Sequence, residues 1–141
     1  MAKGFYYDIL NPPEWCEADQ KYYPYRLKEE WVEQTELKGL ELAFPADSPY
    51  VTLSSGGFLT LKPGYLWDGP SGIAIDTADF MRGSAVHDGL YQLEKKWGVK
   101  IRKQADKEML RIIKEDGMGW IRRTYCWLGV RVFGGLWNLF G

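Results

Sequence analysis

The hydrophobic pattern of this chain changes period at Asp68-Gly-Pro-Ser-Gly72, and that change limits the fold more than any other feature. Before it, apolar and polar residues alternate, the two-residue period of strands with one buried face. After it, apolar residues recur every three or four positions, as on helices that bury one stripe. Strands followed by helices predict an α+β domain, with a small antiparallel sheet first and three helices after it. Residues 25–141 are assigned to that single domain, and a chain of 141 residues is long enough for one such core.

Within the first half, Leu27, Glu29, Trp31 and Glu33 alternate with Lys28, Glu30 and Val32, which suits a half-exposed edge strand. Leu40 and Leu42 alternate with Glu41 and Ala43. Tyr50-Val-Thr-Leu-Ser54 and Phe58-Leu-Thr-Leu-Lys62 flank Ser55-Gly56-Gly57, a hairpin signal. Pro63-Gly64 then makes a turn, and Tyr65-Leu-Trp67 resumes as a short strand. Residues 1–24 read differently, as an irregular aromatic arm. Asn11-Pro12-Pro13 and Tyr23-Pro24 deny it regular hydrogen bonding. Its aromatic residues (Phe5, Tyr6, Tyr7, Trp15, Tyr22, Tyr23) are costly to leave in water, so the arm is expected to strap the core or to bind a partner.

In the second half, Asp76 or Thr77 is placed to cap a helix over about residues 78–96. Its apolar stripe is Phe80, Met81, Ala85, Val86, Leu90 and Leu93, and Gly98 ends it. A second helix runs from Lys103 to Glu115 with Ala105, Met109, Ile112 and Ile113 inward, stopped by Gly117 and Gly119. A third, Trp120 to Phe140, is rich in aromatic residues and is expected to break or bend near Gly134-Gly135.

Composition excludes some classes of function. A formal net charge of −1 gives no global field to attract nucleic acid. Cys16 and Cys126 make no disulfide framework and no metal spacing, so two free thiols in a reducing compartment are expected. The first residues lack the apolar core of a signal peptide, and no stretch reaches the roughly 18 apolar residues of a membrane span. The expectation is a protein made in the cytoplasm. The last helix carries Arg122, Arg123 and Arg131 among aromatic residues. A core or docking helix is favoured there over one lying in a membrane interface.

Chemistry concentrates at Arg82-Gly-Ser-Ala-Val-His87-Asp88-Gly-Leu-Tyr91, which holds the single histidine. On a helix, His87 and Tyr91 stack one turn apart on one face, with Asp88 about 100° round the axis. Asp106, nineteen residues after His87 and one turn into the next helix, can face His87 or Tyr91 and fix the imidazole as a general base. One histidine cannot make a three-histidine zinc site, and a histidine-aspartate phosphohydrolase needs another upstream. An oxygen-rich Ca²⁺ or Mg²⁺ site stays open, built from Asp88 and the Asp68–Gly72 loop. Asp76 and Asp79 are more simply helix N-terminal charges. Against every catalytic reading stands a structural one, in which the same polar groups tie helix to sheet.

The blocks Gly64-Tyr-Leu-Trp-Asp68-Gly-Pro-Ser71, Arg82 to Tyr91, Ala105-Asp106, Arg122-Arg-Thr-Tyr125 and the terminal Val-Arg-Val-Phe-Gly resemble a phage and prophage family known as domain of unknown function 1353. The resemblance covers about residues 58–136 and implies a phage origin without an established activity. The His-Asp-x-x-Tyr block alone is similar to the catalytic helix of the sn-2 phospholipases. That likeness implies His87 as the base for a water, Asp88 with Asp68 and its loop as a Ca²⁺ site, and Tyr91 with Asp106 as support for the histidine. Two functions follow as expectations. One is a virion- or tail-associated structural protein that docks on other virion proteins or on a host envelope component. The other is a hydrolase of envelope esters or amides.

Overall fold

Tyr23, Tyr25 and Leu27 are buried, whereas Tyr22, Pro24 and Arg26, which alternate with them, are not. That alternation makes Lys21–Leu27 a strand (β2), paired antiparallel with Tyr7–Cys16 (β1). From Tyr7 onward, the segment expected as an irregular arm over residues 1–24 is instead a hairpin. The prolines that suggested irregularity sit where the ladder is interrupted. Pairing runs from Tyr7–Leu27 to Ile9–Tyr25, shifts register, and resumes at Glu14–Tyr23. Pro12, Pro13 and Pro24 have no partner in either register, so their missing N–H groups cost no ladder bond. The strap reading holds in part, because Phe5 and Tyr7 pack on the core beside Trp31 and Trp67.

The computed structural model describes residues 4–40, 42–43, 50–69 and 78–140, with the side chains of all but 42–43 and 133–140. The strands after β2 are Trp31–Gln34 (β3), Leu42–Ala43 (β4), Val51–Leu53 (β5), Phe58–Leu61 (β6) and Leu66–Trp67 (β7). The helices are Ala78–Trp97 (α1), Arg102–Glu115 (α2) and Trp120–Phe140 (α3). The fold is α+β, with the strands in two antiparallel sheets ordered β1-β2-β7 and β3-β6-β5-β4. The expected edge strand from Leu27 to Glu33 is thus divided between the sheets, since Leu27 ends β2 and Trp31 opens β3.

The β5–β6 hairpin forms as its glycines predict. Gly57 sits at φ 89°, and a Cβ on it would lie 2.6 Å from the Thr35 carbonyl oxygen, so no larger residue fits. Gly117 has the same positive φ at the end of α2. The Met118 N–H donates to Ile113 O and the Gly117 N–H to Lys114 O, a Schellman cap whose apolar contact is Met118 with Ile113. The glycines of α3 behave otherwise. The helix runs through Gly134 and Gly135 to Phe140, so of the expected break or bend there is no break. A helical glycine costs about 1 kcal/mol but leaves the hydrogen-bond ladder intact.

All six apolar residues expected on the α1 stripe are buried, together with Arg82, Ser84 and His87. Two polar contacts key α1 to the strand end below it. Tyr65 Oη donates to the Ala85 carbonyl at 2.9 Å, and Trp67 Nε1 donates to Ser84 Oγ at 3.1 Å. The Tyr65 and Trp67 rings stack with centroids 5.6 Å apart. A smaller core of Phe80, Met109, Ile113, Met118 and Cys126 joins α3 to the first two helices. Both cysteines are free thiols. Among the described residues, no helix is long and apolar enough to cross a membrane.

Candidate functional site

His87 and Tyr91 lie one turn apart on α1, as their spacing requires, with ring centroids 4.1 Å apart. The α1–α2 link brings the first turns of α2 back along that face, and Asp106 meets both residues. His87 Nε2 lies 2.7 Å from Asp106 Oδ1, and Tyr91 Oη donates to the same oxygen at 2.8 Å. Arg131 reaches in from α3 and donates from Nη1 to Asp106 Oδ2 at 2.9 Å. The Asp106 side chain is fully buried, and that of His87 is 8% exposed. One carboxylate thus joins all three helices, with both oxygens used.

The other side of the imidazole leads toward the surface. Nδ1 faces Asp88 Oδ1 at 3.6 Å, and Asp88 Oδ2 accepts the backbone N–H of Asp68 at 3.3 Å. Asp68 is itself paired with Lys21 of β2. The result is a polar line from β2 through β7 and α1 to α2 and α3. Gly69, expected to let backbone approach a ligand, has φ 73° and passes so close to the Tyr25 ring that a Cβ would overlap it. Packing against Tyr25 therefore accounts for that glycine. Pro70, Ser71 and Gly72 of the same loop lie outside the described residues, as do Asp76 and Thr77. Asp79 pairs with Arg122 at 3.2 Å.

The electrostatics suit an ion pair more than a poised base. Burial opposes the charged imidazole of His87, but hydrogen bonds and charge from Asp106 and Asp88 outweigh it and raise its pKa above the ordinary 6.5. Burial also opposes the Asp106 carboxylate. His87, Tyr91 and Arg131 overcome it and lower the Asp106 value. Burial pushes Asp88 up, against the pull of His87. A raised histidine pKa means that the native chain binds protons the unfolded chain has released. The stabilisation from His87 is therefore complete below about pH 6.5 and is lost as pH rises through the folded value. The lowered Asp106 value acts oppositely, so its contribution is lost as pH falls through its folded pKa. Urea unfolding at a series of pH values should show the stability gap between wild type and His87→Gln shrinking as pH rises above neutrality. A gap independent of pH would remove the ion pair from the account.

Of the donors expected for Ca²⁺ or Mg²⁺, the two carboxylates meet protein groups. Asp68 holds Lys21, and both Asp88 oxygens face protein groups. Among the described residues, no group of three or more His, Cys, Asp or Glu side chains is placed to hold a metal. The loop carbonyls expected to complete such a site, those of residues 70–72, lie outside the described residues. A cavity of about 350 Å³ lies elsewhere, between the segment from Glu36 to Leu40 and the α1–α2 link, and no residue of the His87 cluster lines it.

A second buried polar cluster was not foreseen. Arg82 on α1 is 8% exposed and reaches Glu33 at 3.4 Å, Asp116 at 3.2 Å and Glu115 at 2.7 Å. Arg111 joins Glu33, Glu108 and Glu115, and Glu108 accepts the Glu36 N–H. The signal was present. Glu33 shares the inward face of its strand with Trp31, and Arg82 interrupts the apolar stripe beside Met81. Arg131 is in sequence one basic residue of α3 among others, and nothing in its spacing points to Asp106. No family model, curated protein or solved structure matches the chain.

Proposed function

We propose that the chain is a phage-encoded structural protein that docks into the virion, and that its His87 cluster is a pin holding the helices to one another and to the sheet. The observation that carries this reading is the closure of His87. A general base needs a ring nitrogen free to take a proton from water. Here Nε2 is held by Asp106, Nδ1 faces Asp88, and the side chain is 8% exposed. The phage assignment rests on the motif resemblance. The hydrolase reading, with His87 as base supported by Asp106 and Tyr91 and a cation at Asp88 and Asp68, shares the Asp106 contacts, and the burial of the imidazole is what counts against it.

The docking surface in this reading is the β1–β2 hairpin. Trp15 and Tyr22 pair edge to face with centroids 4.9 Å apart, yet are 44% and 62% exposed, and Ile9 is 73% exposed. Exposed aromatic groups rimmed by polar residues are the usual anchors of protein interfaces. Because these side chains contribute little to the core, their loss should leave folding intact. The double substitution Trp15→Ser/Tyr22→Ser is expected to lower co-sedimentation with purified phage particles several-fold, with an unchanged thermal midpoint. Wild-type protein that never associates with particles contradicts the proposal. So does ester or amide hydrolysis that disappears in folded His87→Gln.

A further inference from the structure

The outward face of α3 carries no charge. Among its described side chains, the exposed ones are Trp120, Ile121, Thr124, Tyr125, Leu128 and Val132. Ile121, Tyr125, Leu128 and Val132 are 68%, 47%, 49% and 58% exposed. Their spacing is the alternating four and three of a coiled-coil seam, and at about 100° per residue they share roughly 60° of helix surface. Between Trp120 and Val132 the helix has three cations and no acid, but the cations turn inward. Arg122 binds Asp79, Arg131 binds Asp106, and Arg123 donates to the Met118 carbonyl. A helix that lies on anionic lipid keeps its cations at the rim of the apolar face. This one has committed them to its own fold.

We infer that this seam pairs with α3 of a second copy of the chain, antiparallel about a two-fold axis. The spacing of four, three and four reads the same in both directions. Antiparallel pairing therefore sets Ile121 against Val132 of the second copy and Tyr125 against its Leu128, and each contact is made twice. The two-fold axis passes between Tyr125 and Leu128. Thr124 then lies opposite Gly129, where an added Cβ would meet nothing, so the flank has room for close approach. Antiparallel helices also oppose their dipoles, whereas a parallel pair would align like ends. With the arginines neutralised within each chain, the two seams carry no charge to repel one another. Four side-chain layers make a small interface, in the class below about 1,200 Å², so the dimer forms in a concentration-dependent equilibrium.

The inference is independent of particle docking, which uses the opposite end of the chain and is tested by hairpin variants. Sedimentation equilibrium of the full chain should show monomers passing to dimers as concentration rises. Leu128→Glu should weaken the dimer roughly tenfold or more, while helix content and thermal midpoint stay the same. With Cys16 and Cys126 replaced, Ile121→Cys/Val132→Cys should oxidise rapidly to a covalent dimer, and neither single change should do so. A wild-type chain that stays monomeric at its highest soluble concentration overturns the inference, as does a dimer that survives Leu128→Glu. Ile121→Cys alone oxidising to a dimer overturns the antiparallel arrangement. Monomers whose binding to phosphatidylcholine–phosphatidylglycerol vesicles requires Leu128 would show the seam to be a lipid-binding face instead.

Discussion

Asp106→Ala should destabilise the chain by about 3–5 kcal/mol, the usual cost of removing one partner from a buried ionic cluster. For a domain of this size that lowers the thermal midpoint by roughly 10–15 °C. The change removes the only carboxylate that His87 Nε2, Tyr91 Oη and Arg131 Nη1 all share. It leaves a half-buried guanidinium without this partner and a buried imidazole with Asp88 alone, 3.6 Å from Nδ1. Asp106→Asn is the sharper probe. It keeps an acceptor for Tyr91 but loses the charge, so it should cost less than alanine while lowering the His87 pKa, which Asp88 alone then supports. A double substitution, His87→Leu/Asp106→Leu, should recover part of the loss, because apolar groups need no partner. Calorimetry on the four proteins separates the net worth of the pair from the penalty of a widowed charge. An Asp106→Ala chain that melts with wild type would show that the contacts contribute nothing to the fold.

The second large effect belongs to Arg82. Arg82→Ala leaves Asp116, with its side chain 4% exposed, without its partner guanidinium, and Glu33, 8% exposed, with Arg111 alone, and about 3–5 kcal/mol is again expected. The more exposed Glu115 adds little, since surface pairs contribute about 0–1 kcal/mol. Arg82→Lys should recover only part of the stability. A lysine ammonium is a point charge on a flexible stem, whereas the guanidinium reaches three carboxylates from three different nitrogens. Arg82 also lies over the Trp31 ring, 5.6 Å from its centroid, a contact that a shorter side chain loses. Burial already pushes the Asp116 pKa up, against the pull of Arg82. In Arg82→Ala that opposition is gone, so the defect should shrink as pH falls and Asp116 takes up a proton. Urea unfolding at pH 5 and pH 8 checks both magnitude and direction.

The fold was legible where one local signal decides the outcome. Gly57 and Gly117 mark a turn and a cap because each needs a positive φ, and the stripe from Phe80 to Leu93 marks α1 because only a helix gathers it. The candidate site was legible to the same depth. The spacing of His87 and Tyr91 places them together, and nineteen residues is enough for α2 to return Asp106 to them. Pairing was not legible. Prolines 12, 13 and 24 read as an absence of structure because sequence does not reveal that two strands shift register at the same level. Nor does it reveal that β7 leaves its neighbour β6 to pair with β2, which divides the strands into two sheets. The burial of Glu33 and Arg82 depends on contacts between β3, α1 and α2. Local pattern sets each on an inward face, and only the assembled fold makes them partners. Arg131 is hidden for the same reason, because its partner lies on another helix.

Whether His87 is a closed structural contact decides between a pin and an open base. The direct measurement is the rate at which diethyl pyrocarbonate acylates the single histidine of the native chain, followed across a urea series. The account predicts that His87 is protected in native conditions and becomes reactive in step with global unfolding, because both ring nitrogens face carboxylates within the packed helices. Acylation of the folded chain at the rate of free imidazole, with no loss of helix content, would contradict it and return His87 to the role of an open base.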